Sequence, residues 1–217
     1  HPVKTVTAGE GGAVTTNDVS LYEKSRLFSK HGIIRDRAKL VSKDENDCYY
    51  EQQSLGYNYR ITDIQSGLLI SQLDKLERFS LRRKEITAFY NTEFSKLGEI
   101  ILPREIPQSD TVRHLYVVRL DLTKLTAGRD AILAALHAEN IGAAIHYIPL
   151  YLMPYYKQLG YKRGLCPNAE AHYKALITLP LYYSMTDQDA RDVVNAVKKV
   201  LGFFRKTSTY PACRVGE

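Results

Sequence analysis

The feature that most restricts the fold is a helical period running through residues 61–97. Ile61, Ile64, Leu68, Leu73, Leu76, Phe79, Ile86, Phe89, Phe94 and Leu97 recur mostly three or four positions apart, the spacing that lines one face of an α-helix. A helix this long links two parts of a molecule, and a break near Phe79-Ser80 is expected. Ahead of it, Thr5–Ala8 and Ala13–Thr16 flank Gly9-Glu10-Gly11-Gly12 and read as a hairpin or a pair of short strands. Asn17-Asp18 then caps a helix carrying Leu21, Lys24, Leu27 and Phe28, which should stop at His31-Gly32. From Arg35 to Ser54 the chain is polar and without period, the mark of a functional or mobile connection.

After Gly98 the pattern changes. Glu99–Leu102, Arg113–Leu120, Ala143–Ile148 and Ile177–Leu179 read as strands. Gly128–Glu139, Asn168–Ala175 and a last helix capped by Thr186 or Asp187 and running to about Phe204 lie between or after them. That order describes a small α/β sandwich. The expected division is therefore 1–97, 98–206 and a tail, 207–217. No internal repeat is visible. With 44% apolar and 25% charged residues the chain is globular rather than disordered. No apolar run approaches the ~20 residues of a membrane-spanning helix.

Cys48, Cys166 and Cys213 form no C-x-x-C pair, so neither a zinc pattern nor a disulfide framework is present, and no metal site is expected. A reducing cytoplasm suits such cysteines. The net charge of +6 suits an anionic ligand such as a phosphate or nucleotide. It does not single out nucleic acid, because only one basic residue, Lys157, falls among the tyrosines at 147, 151, 155, 156 and 161. The numbering opens in a β-like pattern without a methionine, and the chain reads as the later part of a longer one.

The chemistry rests on three blocks. Lys4 stands just before the glycine-rich turn, where small residues let a flat ligand approach the backbone. Taken alone it is an ordinary surface lysine. Its context is His1-Pro2-Val3-Lys4, Gly9-Glu10-Gly11-Gly12, Thr15-Thr16-Asn17-Asp18, Arg26 and His31-Gly32. A second block is Gly56-Tyr57-Asn58-Tyr59-Arg60 with Thr62-Asp63 and Gln65-Ser66; a third is Ile145-His146-Tyr147 with Pro149-Leu150. In this order they resemble the DegT/DnrJ/EryC/StrS family of sugar aminotransferases that use pyridoxal phosphate. The nearest subgroup aminates 4-keto sugars attached to UDP, as in pseudaminic acid or spore-coat polysaccharide synthesis.

The resemblance implies a role for each residue. Lys4 matches the lysine that binds the cofactor covalently and, once displaced by the amino donor, serves as general base for the proton shift. Asn58 matches the asparagine that crosses a dimer interface to hold the partner subunit's cofactor phosphate. Tyr57 and Arg60 beside it could face the sugar nucleotide. His146 and Tyr147 match a pair that lines the sugar pocket from the other subunit. Each has a plainer alternative. Asn58 could be a turn or helix-cap residue, Arg60 could pair with Asp63 on a helix surface, and His146 could be a hydrogen-bonded core histidine.

The resemblance also implies an α/β fold of the aspartate-aminotransferase type (fold type I). Residues 1–97 would be the end of the large domain with a long linking helix, and 98–206 the small domain. It implies a homodimer that takes a nucleotide sugar and glutamate. The family's serine two residues before His1, its pyridine-binding aspartate, its ring-stacking aromatic and its first phosphate loop lie outside this chain. The 217 residues alone are therefore expected not to transaminate. A non-catalytic interaction module derived from the same family is the alternative, disfavoured by the intact Lys4, Asn58 and His146.

Overall fold

The computed structural model describes residues 3–43 and 46–207. His1 and Pro2 of the first block, and Cys213 with nearly all of the expected tail, lie outside the described residues. The chain packs as two units, one ending at Leu76 and one beginning at Glu77. The expected border at 97/98 thus moves to 76/77.

In the first unit, helix α1 spans Val19–Phe28. Asp18 starts it, its carboxylate accepting from the Leu21 N–H at 3.1 Å, which satisfies an orphan donor of the first turn. It ends as expected at His31-Gly32, where both residues are left-handed (φ 63° and 67°) and the Gly32 N–H returns to the Leu27 carbonyl at 2.8 Å. The hairpin expected within 5–16 is not formed. A two-stranded ladder is marginal in water without a face to bury, and Val14 is 74% exposed. The backbone instead turns at Gly9 (φ 81°), whose N–H donates to the Thr7 hydroxyl at 3.0 Å.

The described part of 35–54 has more order than its composition promised. Strand β1 (Ile33–Ile34) pairs antiparallel with β2 (Glu51–Gln52). The Glu51 carboxylate then accepts from the Val41 and Ser42 N–H groups at 2.8 and 2.7 Å. These backbone bonds, with a third bond from the Gln53 side-chain amide, hold its pKa down at about 2. A carboxylate with a depressed folded pKa stabilises above its ordinary pKa and loses that contribution as the pH falls through the folded value. Amide exchange at Val41 and Ser42, corrected for its intrinsic pH dependence, should lose protection between pH 4.5 and about 2. In Glu51→Gln that protection should already be low at pH 7.

Helix α2 (Asp63–Leu73) is closed at its start by a capping box between Thr62 and Gln65. Helix α3 covers Leu76–Phe94. The long period is therefore two helices, and the break lies at Asp74-Lys75 rather than Phe79-Ser80. There the chain tightens through a Lys75 N–H to Gln72 carbonyl bond of 3.1 Å. Helix α3 buries Ile86, Tyr90 and Phe94 in the core of the second unit, which is why the border moves.

The second unit is the expected α/β sandwich. Its strands are β3 (Ile100–Ile101), β4 (Tyr116–Leu120) and, later, β5 (Leu176–Leu179), forming an antiparallel sheet in the order β3-β4-β5. Between β4 and β5 lie α4 (Arg129–Ala138), α5 (Pro154–Gln158) and α6 (Pro167–Ala175); α7 (Asp187–Phe204) follows. A Thr186–Asp189 capping box starts α7, and Val193, Val197, Val200 and Leu201 along it are buried at helical spacing. The Tyr90 and Tyr116 rings lie 5.0 Å apart. Their hydroxyls donate to the Pro180 carbonyl at 3.0 Å and to Asn91 Oδ1 at 2.7 Å; burial pushes both phenols well above their usual range. Two details differ from expectation. The strand expected over 143–148 is reduced to one bridge, Ala144 to Thr178, and α5, opened by Pro154, was not anticipated. Among the described residues no helix is long and apolar enough to cross a membrane.

Candidate functional site

The residues expected to carry function fall into two groups, one in each unit. In the first unit, Tyr57–Arg60 runs extended alongside the C-terminus of α1. The Tyr57 N–H donates to the Phe28 carbonyl at 2.7 Å, the His31 N–H to the Tyr57 carbonyl at 3.0 Å, and the Tyr59 N–H to the Ser29 carbonyl at 3.0 Å. An extended backbone alternates its side chains. Tyr57 and Tyr59 accordingly share one face, stacked at 5.1 Å with Phe28 edge-on to both. Asn58 and Arg60 take the other face, where Arg60 Nε donates to Asn58 Oδ1 at 3.0 Å. The two tyrosines hold the segment down, and the amide and guanidinium stand exposed.

This geometry removes one plainer alternative for each of two residues. Thr62, not Asn58, is the helix cap, and Arg60 bonds Asn58 rather than Asp63. Two glycines make the arrangement possible. A Cβ on Gly56 would sit 2.2 Å from the Gly32 nitrogen, and one on Gly32 would sit 1.8 Å from the Ser54 carbonyl oxygen.

Lys4 is exposed and precedes the glycine segment. That segment is tied to the start of α2 by Gln65, whose Nε2 donates to the Glu10 carbonyl at 3.0 Å. Between them opens a concavity of about 1040 Å³, lined by Gly11, Gly12, Tyr22, Lys24, Arg26 and Arg60 among others. Among its described lining residues three are cationic and only Glu10 is anionic. Lys24 and Arg26 were not singled out as lining residues. Their spacing on α1, next to a glycine-rich turn, was the available signal. Lys4 does not line this concavity.

In the second unit, His146 and Tyr147 are joined by a cis peptide bond. Their rings meet edge to face at 4.5 Å. His146 is half-buried, and its Nδ1 lies 2.9 Å from the Thr178 hydroxyl. Tyr147 is 67% exposed. His146 is thus hydrogen-bonded, as its plainer reading required, without being fully enclosed.

The DegT/DnrJ/EryC1/StrS aminotransferase family matches residues 1–198. The chain belongs to that family. It is 38% identical over 203 residues to the spore coat polysaccharide biosynthesis protein SpsC of Bacillus subtilis, covering 93% of this chain and 52% of SpsC. It is 35% identical over 206 residues to the UDP-4-amino-4,6-dideoxy-N-acetyl-beta-L-altrosamine transaminase of Campylobacter jejuni, covering 95% and 52%. Helicobacter pylori PseC, an aminotransferase involved in the biosynthesis of pseudoaminic acid, superposes with a TM-score of 0.81 at 30% identity, over 94% of this chain and 52% of PseC. The PLP form of the putative sugar aminotransferase Spr1654 from Streptococcus pneumoniae does so with a TM-score of 0.77 at 26% identity, over 94% and 50%. The α/β fold of this aminotransferase family is therefore present. The chain spans about half the length of the relatives it matches.

Pyridoxal phosphate is a dianionic ligand with one reactive carbonyl, and the residues here fit part of it. With its oxygen held by Arg60, Asn58 keeps two amide N–H groups to offer a phosphate. Lys4 is the exposed primary amine of the family's first block.

Proposed function

We propose that these residues belong to a pyridoxal-phosphate-dependent aminotransferase working on a nucleotide sugar. It moves an amino group from glutamate to the keto carbon of a UDP-linked 4-keto-6-deoxy sugar, on the way to a surface polysaccharide. The observation that carries this reading is the Asn58–Arg60 pair. It is an amide held by a guanidinium, on the exposed face of a segment braced by aromatic rings. Membership of a family of sugar aminotransferases, and relatives named for UDP-sugar transamination, support the substrate class.

When bound, the cofactor supplies the electron sink that makes the donor's α-proton removable. Lys4 Nζ holds the cofactor between turnovers, takes the proton from the donor's α-carbon and later delivers one to the sugar's C4. Asn58 Nδ2 donates to the phosphate, adding hydrogen bonds without adding charge. Arg60 places a cation where the diphosphate passes, and Tyr57 braces the segment that carries both. His146 and Tyr147 line the sugar pocket. In this reading the enzyme is a cytoplasmic homodimer whose subunits share their sites, Asn58 and the His146-Tyr147 pair serving the partner. The 217 residues alone do not turn over.

The test is an assay with pyridoxal phosphate, glutamate and a UDP-4-keto-6-deoxy sugar. An enzyme of the relatives' length containing these residues should form the amino sugar, and the 217-residue chain should not. No product from the longer enzyme would favour a non-catalytic module. Turnover by the short chain would refute the division of labour between the two halves.

A further inference from the structure

We infer that Thr178 is a positioning residue that fixes the ring of His146 as an Nε2–H donor. The inference deepens the assignment of His146 to the sugar-nucleotide pocket.

Thr178 is held from two sides. In β5 it pairs with Val117 of β4, and its N–H and carbonyl bond the Ala144 backbone at 2.8 and 2.9 Å. Its side chain is therefore set by the sheet, and the residue is only 5% exposed. Residues directly opposite across an antiparallel pair share a face, and so do residues two apart along an extended chain. Ala144 faces Thr178, so His146, two residues on, comes over the Thr178 hydroxyl. The contact from Oγ1 to Nδ1 is 2.9 Å.

A hydroxyl has one hydrogen to give. Among the described residues, the Thr178 hydroxyl has no hydrogen-bond partner besides His146. If Nδ1 carried the imidazole proton, it would donate to Oγ1 and leave the threonine hydrogen buried without an acceptor, an arrangement folded proteins avoid. With Nδ1 unprotonated, the threonine donates to it and both atoms of this contact are satisfied. The neutral ring then carries its hydrogen on Nε2, the nitrogen with no partner among the described residues. His137 follows the same logic in a simpler setting. Its Nε2 lies 2.7 Å from the Ala143 carbonyl, which can only accept, so it too must be protonated there. His146 is thus built to donate to an oxygen of its ligand, such as a diphosphate or sugar oxygen. It is not built to withdraw a proton from it.

The tautomer can be read in the 217-residue chain, without ligand, from two-bond nitrogen–proton correlations of ¹⁵N-histidine-labelled protein near pH 8. The wild type should show His146 as the Nε2–H tautomer alone. Thr178→Val keeps the β-branched shape but removes the hydroxyl, and should give a mixture of tautomers. Thr178→Ser should restore the single form. If the valine variant does not fold, the wild-type and serine spectra decide. A wild-type Nδ1–H ring, or a valine variant with an unchanged pattern, overturns the inference. Because no ligand is present, these outcomes stand apart from the fate of the nucleotide-sugar reading, which the amino-sugar assay decides.

Discussion

Replacing Gly56 by alanine should release the segment that carries Asn58 and Arg60. The added Cβ would meet the Gly32 nitrogen at 2.2 Å, the His31 carbonyl carbon at 2.6 Å and the Phe28 carbonyl oxygen at 2.9 Å. All three are backbone atoms, so no side-chain rotation relieves the clash. The backbone must move, and the Tyr57–Phe28, His31–Tyr57 and Tyr59–Ser29 hydrogen bonds go with it. Clashes of this kind belong at the upper end of single-substitution effects, roughly 3 kcal/mol or more. Amide exchange at Tyr57 and Tyr59 should lose its protection, and the stacked tyrosine pair should lose its ring-current shifts. Gly67→Ala is the control. It lies in α2 with nothing within 4 Å of its Cβ, and exchanging glycine for alanine there should be neutral or stabilising by up to ~1 kcal/mol.

Lys4→Ala should abolish amino-sugar formation by the longer enzyme while leaving its fold intact. Lys4 is exposed and is not among the buried residues of the hydrophobic core, so truncating it should cost little stability. A positioned general base contributes ~10²- to 10⁴-fold in rate, and in the proposed reading the same lysine is also the covalent anchor. The combined loss in kcat should reach at least ~10³-fold. Lys4→Arg keeps the positive charge but should not rescue, since a guanidinium does not give up its proton near neutrality. Unchanged melting with lost turnover is the expected pair of results; a Lys4→Arg enzyme with near-normal turnover would place the base elsewhere.

Much of the fold was legible because its signals are local. The starts of α1 and α7 are written in Asp18 and Thr186, caps that bond within three residues, and the apolar period of α7 follows directly. The break at Asp74-Lys75 was not legible, since the apolar period runs through it and no glycine or proline marks it. The missing hairpin at 5–16 is the opposite case. Its residues have strand propensity, but propensity alone does not repay a ladder without a buried face.

The candidate site divides in the same way. Residue alternation along 57–60 is enough to pair Asn58 with Arg60 once the segment is known to be extended. Tyr57 and Tyr59 on Phe28 required knowing that the segment lies along α1, a contact about 30 residues away in sequence. The bond between His146 and Thr178 spans 32 residues and depends on sheet register, which no short motif encodes. Lys24 and Arg26 entered the concavity through the folding of α1 against the glycine turn.

The assignment of Lys4 is tested most directly by fixing the cofactor in place. The longer enzyme, loaded with pyridoxal phosphate and reduced with borohydride, should be digested and its peptides weighed. The account predicts the added cofactor mass on Lys4 alone, and its loss in Lys4→Ala. An active enzyme that carries the mass on another lysine, or keeps it unchanged in Lys4→Ala, would contradict it.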